Sequence, residues 1–402
     1  MATVKLVDIC AKIGSGATPR GGKEAYCDKG ISLVRSQNVL DFAFSCDGLA
    51  YINDEQAKKL DNVEVFADDV LLNITGDSVA RVCMMDPSYL PARVNQHVAI
   101  VRGLKNRVVS SYILYYLQWK KQHLLQLASA GATRNALTKG MIEQLEINLP
   151  PIDEQKKIVT VLDSLQNRIQ LNQKVNDNLQ QQLRAIFMER FTNNPALESI
   201  QQMPLSELCS VVTKGTTPTT LGKPFVDRGI NFLKAESILD NHSLDKGKFA
   251  HIDEETHDML KRSVIYAGDI VFTIAGTLGR FALIDSDILP ANTNQAVAII
   301  RADQEKISPE YLYTCFIGNW HNDYYSKRIQ QAVQANLSLT TIKSLPIPVL
   351  AQDEMESYMA LISPIIRMLK QNEMENERLA TIRDSLLPRL MSGEIDVSDI
   401  HI

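Results

Sequence analysis

Two long stretches of the chain place apolar residues alternately three and four positions apart. The first stretch carries this spacing at Ile158, Leu162, Leu165, Ile169, Asn172, Asn176, Leu179, Leu183 and Ile186. The second carries it at Ile362, Ile365, Leu369, Asn372, Asn376, Leu379, Arg383 and Leu386. Such spacing is typical of a helix with a coiled-coil seam. Prolines precede each stretch and acidic residues open it, which predicts helices near 152–191 and 352–391, each about 60 Å long.

One such helix alone would expose its apolar seam, so we expect the two helices to pair. If they run antiparallel, Asn172 faces Asn376 and Asn176 faces Asn372 near the centre of each helix. Polar seam residues of this kind fix the register of a helix pair, and we favour that role over a functional site. Arg383 departs from the pattern, which predicts that this end of the seam is exposed or bound to another chain.

Shorter patterns precede each long helix. The β-branched runs 70–74, 81–85 and 98–102 are separated by Gly, Asp and Pro and predict strands. Helical spacing follows at 112–127 and again at 311–329. Aromatic clusters within these helices could stack on nucleic-acid bases, but a packed core is the favoured interpretation; the clusters are Tyr115-Tyr116-Trp119 and Tyr313-Phe316-Trp320.

The whole chain repeats itself at an offset of 199 to 200 residues. Nine of the thirteen residues from Leu90 to Arg102 are identical in Leu289 to Arg301, and Gly16-x-Thr18-Pro19 recurs as Gly215-x-Thr217-Pro218. The repeat predicts a mixed α/β (α+β) fold with two globular domains, separated by two long antiparallel helices that form a pseudo-twofold coiled-coil spacer. The predicted boundaries are 1–150 and 204–350 for the domains, 151–203 for the first helix and its linker, and 351–402 for the second helix and C-terminal tail.

Composition limits the class of protein. The 402 residues carry a net charge of −5, which argues against a strongly basic nucleic-acid binder. The N-terminus has no basic and apolar signal segment, and no run of about 18 apolar residues occurs, so we expect a soluble, cytoplasmic protein without a membrane partner. The six cysteines are scattered and predict neither a disulfide framework nor a zinc site.

Enzyme motifs are incomplete. The segment 16–24 is glycine-rich like a phosphate-binding loop, but Lys23 comes one place late and Glu24 replaces the Ser or Thr that would hold magnesium. The segment 148–152 resembles a methyltransferase motif but lacks its aromatic residue. No serine, histidine and carboxylate set or metal-binding motif stands out. The sequence therefore predicts no catalytic residue, cofactor or metal site in this chain.

The order of domain, long helix, domain, long helix resembles the specificity subunit of type I restriction-modification systems. The resemblance rests on the G-x-T-P motif in each copy and on the segment 386–397 after the second helix. It implies two target recognition domains that each recognise half of a split DNA site. It also implies a helical spacer that docks two modification (methyltransferase) subunits, together with restriction subunits. Methylation and cleavage would belong to those partners.

The repeat also sorts candidate DNA contacts. Basic positions shared by both copies suit phosphate contacts or, equally, structural ion pairs; they are Arg35/Lys234 and Arg81/Arg280. Polar positions that differ suit base recognition, because two half-sites normally differ; they are Arg20/Thr219, Gln37/Glu236, Asn38/Ser237, Asp77/Thr277, Arg93/Asn292 and Arg134/Gln334. Lys23 and Lys223 are further phosphate candidates, and Asn95-Gln96/Asn294-Gln295 suit either turn hydrogen bonds or DNA.

Three alternatives remain at this point. The chain could target another defence or modification complex to DNA, which would use the same physics. It could be a coiled-coil adaptor that binds no DNA. It could also hide a nuclease or methyltransferase site, which an assay of the isolated chain with magnesium or S-adenosylmethionine would detect.

Overall fold

The structure is a computed structural model and describes residues 2–130, 135–192, 200–322, 324–325 and 336–398. Two compact units make up the chain, residues 1–171 with 375–402 and residues 172–374. Each unit holds one copy of the repeated domain and one half of each long helix. The domain boundaries predicted from the repeat place each long helix outside the domains instead, and they stay a prediction.

The first copy contains two four-stranded sheets and a two-stranded ribbon. Its strands are β1 Ala2–Lys5, β2 Cys10–Ser15, β3 Ile31–Val34, β4 Ala50–Ile52, β5 Glu64–Val65, β6 Val70–Asn73, β7 Val82–Met84, β8 Ala92–Val94, β9 Val98–Gly103 and β10 Glu146–Leu149. Its helices are α1 Leu6–Ile9, α2 Asp54–Lys58, α3 Ser110–Trp119, α4 Lys121–Ser129 and α5 Lys139–Glu143, and the long helix α6 Ile152–Phe191 follows. The sheet orders are β2-β9-β6-β7 and β4-β3-β8-β5, and β1 pairs with β10.

The second copy repeats this arrangement strand for strand. Its strands are β11 Gln202–Pro204, β12 Cys209–Lys214, β13 Ile230–Leu233, β14 Ala250–Ile252, β15 Val264–Ile265, β16 Ile270–Thr273, β17 Phe281–Leu283, β18 Ala291–Thr293, β19 Val297–Ala302 and β20 Pro346–Pro348. Its helices are α7 Leu205–Leu208, α8 Glu254–Met259, α9 Pro309–Ile317 and α10 Leu339–Lys343, followed by the long helix α11 Gln352–Ser392. The orders β12-β19-β16-β17 and β14-β13-β18-β15 match the first copy, which confirms the predicted duplication.

Alternation along the central strands explains why each copy has two cores. In β6, Val70 and Leu72 face the aromatic helix α3, whereas Leu71 faces the sheet that contains β3. In β16, Ile270 and Phe272 join the core with α9, whereas Val271 joins the core with β13. Each central strand is therefore covered on both faces, as its continuous apolar sequence requires.

The aromatic clusters are core, as the favoured interpretation predicted. Tyr115 and Tyr116 are fully buried, and their hydroxyls donate to the Asp163 carboxylate at 2.7 Å and the Glu146 carbonyl at 2.7 Å. In the second copy Phe316 is fully buried, and the indole of Trp320 donates to the Pro346 carbonyl at 2.6 Å. Buried rings with satisfied polar tips are positioned to stabilise the fold and are not free to stack on bases.

Within each unit the long helices run antiparallel. In the first unit Arg168 pairs with Glu375 at 3.1 Å, and Gln166 accepts from Arg383 at 2.5 Å, so residue numbers rise on α6 as they fall on α11. In the second unit the side-chain amide of Asn372 donates to the side-chain oxygen of Asn176 at 2.7 Å. This bond confirms the predicted contact between two seam asparagines. The pairing of Asn172 with Asn376 stays a prediction.

Arg383, at the end of the seam, is buried within the first unit. The prediction that this end is exposed or bound to another chain is therefore wrong. The Arg383 guanidinium is buried, donates to Gln166 and lies 4.0 Å from the centre of the Phe42 ring. The C-terminal tail also belongs to the first unit. Val397 packs in the same core as Leu6, and residues 399–402 lie outside the described ranges.

Candidate nucleic-acid interface

The G-x-T-P loop and the Asn-Gln turn lie against each other in both copies. The Gly16 amide donates to the Asn95 carbonyl at 3.1 Å, and a Cβ at Gly16 would lie 1.6 Å from the Val94 carbonyl oxygen. Only glycine permits this approach. The Thr18 hydroxyl then donates to the Gln96 side-chain oxygen, and Thr217 does the same to Gln295 in the second copy.

Within the Asn-Gln turns the two residue types have separate roles. The side-chain oxygen of Asn95 accepts the His97 amide at 3.0 Å, and that of Asn294 accepts the Ala296 amide at 3.1 Å. These are local turn bonds that shape the backbone. Gln96 and Gln295 are exposed and contact the G-x-T-P loop, so the turn places a glutamine amide at the surface of each copy.

The first shared basic position stacks on an aromatic ring in both copies. The Arg35 guanidinium lies 5.4 Å from the centre of the Tyr26 ring and also donates to the Gly48 carbonyl. The Lys234 ammonium lies 4.9 Å from the centre of the Phe225 ring and 3.9 Å from Glu236. Both cations are partly exposed, so each retains a surface from which it could contact phosphate.

The second shared basic position, Arg81 and Arg280, has different partners in the two copies. Arg280 forms a two-bond ion pair with Asp240 at 2.6 and 2.7 Å and donates to the Ile238 carbonyl. The aspartate equivalent to Asp240 is Asp41, which pairs with Lys121 instead. Arg81 is partly exposed and has no carboxylate partner in the described part of the chain.

Two of the pairs that differ between copies are buried and serve the fold. The Arg93 guanidinium contacts Asp61 at 2.7 Å and the Ala57 carbonyl at 3.2 Å, and Asn292 donates to the Leu260 carbonyl at 3.2 Å. Asn38 accepts the Arg35 amide at 3.0 Å, and Ser237 accepts the Lys234 amide at 3.4 Å. All four side chains are under one tenth exposed, so they have too little free surface to contact a DNA base.

The remaining candidates are mostly at the surface. The exposed ones are Arg20, Gln37, Asp77, Thr219, Glu236 and Thr277. Lys223 is partly exposed and pairs with Glu255 at 2.7 Å, and Gln37 donates to the Asp47 carbonyl at 3.1 Å. Arg134 and Gln334 lie outside the described residues, as does the side chain of Lys23.

A buried ion pair that the sequence reasoning missed supports each copy. Asp69 accepts two bonds from Arg102, both at 2.6 Å, and Asp269 accepts two from Arg301, both at 2.7 Å. In the first copy the guanidinium also lies 3.8 Å from the centre of the Phe66 ring. The repeat could have revealed these pairs, because the aspartate and the arginine are each identical in the two copies.

No helix in the described ranges is both long and apolar enough to cross a membrane. The described residues also contain no group of three or more His, Cys, Asp or Glu side chains placed to hold a metal ion.

Comparison with known proteins gives concordant matches over the whole chain. The specificity subunit of type I restriction enzyme MjaIX from Methanocaldococcus jannaschii is 22% identical, with 99% of this chain and 94% of that protein aligned. The EcoBI specificity subunit from Escherichia coli is 21% identical, covering 97% of this chain and 85% of that protein. The crystal structure of a type I restriction-modification S subunit from M. genitalium matches with a TM-score of 0.53 at 14% identity, covering 97% of this chain and 96% of that one, and shows a similar fold.

The strongest evidence for a family comes from a family-wide sequence model. The model for the type I restriction modification DNA specificity domain matches residues 1–181 and again residues 198–381. The two matches fall on the two copies of the repeat and together include most of the chain. The chain therefore belongs to the family of type I restriction modification DNA specificity domains and carries two copies of that domain.

Proposed function

We propose that this chain is a sequence-specific DNA-binding subunit that recognises a bipartite site, one half through each copy of the domain. The observation that carries the proposal is the match of a DNA specificity domain to both copies. The identical strand order of the copies supports it, because two equivalent domains can contact two half-sites in the same way. Exposed residues that differ between them, such as Asp77 and Thr277, supply a physical basis for different half-site sequences.

The proposed contacts are the surface groups that each copy places on its loops. The cations proposed to contact phosphate are Arg35, Arg81, Lys223, Lys234 and Arg280. The groups proposed to contact base edges, because they differ between the copies, are Arg20, Gln37, Asp77, Thr219, Glu236 and Thr277. Lys23, Arg134 and Gln334 remain in the proposal on sequence grounds alone.

We further propose that modification and restriction subunits, two of the former, bind this chain in the cytoplasm and carry out the chemistry. The MjaIX and EcoBI relatives are named as specificity subunits of type I restriction enzymes, which supports such an assembly. Net charge also supports it. At −5 the chain has little capacity to release counterions from DNA alone, so partners would supply much of the basic surface.

Domain exchange tests the proposal. Replacing residues 1–150 with the equivalent domain of a relative is expected to change one half-site and leave the other unchanged, because each copy would recognise its half independently. The measurement is methylation-site mapping of the complex with its modification subunits, with the unmodified chain as control. A new sequence in both halves, or no bipartite site in either complex, would refute the proposal.

A charge substitution tests the proposed phosphate contact at Arg81. Arg81→Ala is expected to weaken DNA binding by the assembled complex for all sequences and to reduce the slope of log K against log salt by about one. Arg81→Lys is the matched control, since it keeps the charge. Fluorescence anisotropy across a salt series measures both. An unchanged slope with Arg81→Ala would show that this side chain does not contact phosphate.

A further inference from the structure

The glutamine amide of the Asn-Gln turn is held in one orientation at the surface of each copy. Gln96 lies between β8 and β9, where the chain passes from one sheet to the other. Its side-chain oxygen accepts the Thr18 hydroxyl, and the backbone of the Thr18 loop is fixed through Gly16. Gln295 occupies the same place between β18 and β19 and accepts from Thr217. An exposed glutamine normally samples many rotamers, so this tether pre-organises it.

In the first copy a histidine fixes the other end of the amide. The Gln96 side-chain nitrogen lies 3.1 Å from His97 Nε2, and His97 Nδ1 lies 2.6 Å from the Thr75 hydroxyl. An amide nitrogen can only donate, so His97 Nε2 accepts this bond, and Nδ1 on the other side of the ring lies against Thr75. The second copy has Ala296 in place of His97 and therefore holds Gln295 through its oxygen.

Counting the bonds of Gln96 shows what its amide can still bind. The side-chain oxygen has two lone pairs, and one of them accepts the Thr18 hydroxyl. The side-chain nitrogen has two hydrogens, and one of them is donated to His97. One acceptor on the oxygen and one donor on the nitrogen of the same amide remain. In the major groove only adenine offers the complementary donor and acceptor, at N6 and N7, whereas guanine offers two acceptors there.

We propose that Gln96 and Gln295 each recognise an adenine, at equivalent positions of the two half-sites, through two hydrogen bonds in the major groove. This inference rests on the proposed function. Residues shared by both copies contact features shared by both half-sites, and an identical glutamine tethered by an identical threonine provides such a contact. Each half-site therefore contains one adenine set by the turn, and the exposed residues that differ determine the other bases. Thr18, Thr217 and His97 are positioning residues.

The test is a specificity profile of the complex with its modification subunits. For Gln96→Ala, a randomised DNA library is expected to show loss of preference at one A·T pair in one half-site, with discrimination there falling about tenfold or more. Gln295→Ala is expected to do the same at the equivalent position of the other half-site. Thr18→Val is expected to weaken the same preference as Gln96→Ala, and Thr18→Ser to restore it.

A uniform loss of affinity at unchanged sequence preference, or a lost preference for a base other than adenine, would overturn the inference, as would profiles unchanged within twofold. Thermal midpoints of the variants are expected to match the unmodified chain, because both glutamine side chains are exposed. A bipartite site in the unmodified complex that is insensitive to both variants would refute the inference while the proposed function stands. Absence of any bipartite site would refute both.

Discussion

Asp69→Asn is expected to lower the free energy of unfolding of the first unit by about 3 kcal/mol or more. The Asp69 carboxylate is fully buried, accepts two bonds from Arg102 and also accepts the Phe66 amide at 2.8 Å. Removing one member of a buried, hydrogen-bonded ion pair leaves the other charge uncompensated and typically costs about 3–5 kcal/mol. Because the Arg102 side chain retains some solvent contact, we expect the lower end of that range.

Hydrogen exchange measured by mass spectrometry reports the stability of each unit separately within one chain. Peptides of the first unit are expected to exchange faster in Asp69→Asn, and those of the second unit faster in Asp269→Asn, which removes the equivalent pair. Glu55→Gln is the matched control, since Glu55 and Lys59 form a pair at 2.7 Å that is largely exposed, and water screens such a pair so that it adds little to stability. An Asp69→Asn variant as stable as this control would contradict the assigned role.

The elements that the sequence predicted well are those whose signal is local. Helix α6 begins at Ile152 and ends at Phe191, as the seam spacing and the preceding prolines predicted. The predicted strand 98–102 is β9, Val98–Gly103. Periodicity of this kind reflects burial along a single element, so it needs no knowledge of the partner element.

The sheet order and the roles of buried polar groups could not be predicted in that way. Strands β3 and β8 are parallel neighbours although four other strands, β4 to β7, lie between them in the sequence. Arg93 and Asn38 are polar residues, which are usually exposed, yet both are buried. Arg93 donates to the Ala57 carbonyl and Asn38 to the Ser45 carbonyl, so their polar groups are satisfied. Only the tertiary contact distinguishes such a residue from a base-contacting one.

The repeat was the most informative part of the sequence for the candidate site. It led to Arg35/Lys234 and Arg81/Arg280, and the structure shows the former stacked on rings and Arg280 bound to Asp240. Comparing the two copies also shows that the contacting pair Thr18 and Gln96 is identical to the pair Thr217 and Gln295. A residue that is identical in both copies can either support the fold or contact DNA. Only its hydrogen bonds in the structure distinguish these two roles.

Acidification from pH 7 to pH 5 is expected to destabilise the second unit by about 2 kcal/mol for each of two buried histidines. Burial lowers the pKa of His242 to about 4 and that of His321 to about 3. Both rings pack against Phe281, with the His242 and Phe281 centroids 3.9 Å apart, and neither Nδ1 has a hydrogen-bond partner in the described ranges.

The direction follows from the lowered pKa values. The unfolded chain binds protons at these histidines below a pKa of about 6.5, whereas the folded unit keeps them neutral until the pH falls to about 4 and then 3. The stability that comes from burying the neutral histidines is therefore fully present above pH 6.5. It is lost as the pH falls from about 6.5 to the pKa values of the folded unit. At the position of His242 the first copy has Phe42, also with a positive φ, so the first unit provides an internal comparison.

The matched variant is His242→Phe with His321→Leu, which removes both titrating groups together with their unpartnered Nδ1 atoms. Hydrogen exchange of second-unit peptides, recorded at pH 7 and pH 5 with correction for intrinsic exchange rates, measures the change in free energy of unfolding. The unmodified chain is expected to lose about 4 kcal/mol more than the double variant over this interval, because two protons are taken up on unfolding. A difference under about 1 kcal/mol would show that these rings gain protons without unfolding, and that their burial does not exclude the charged form.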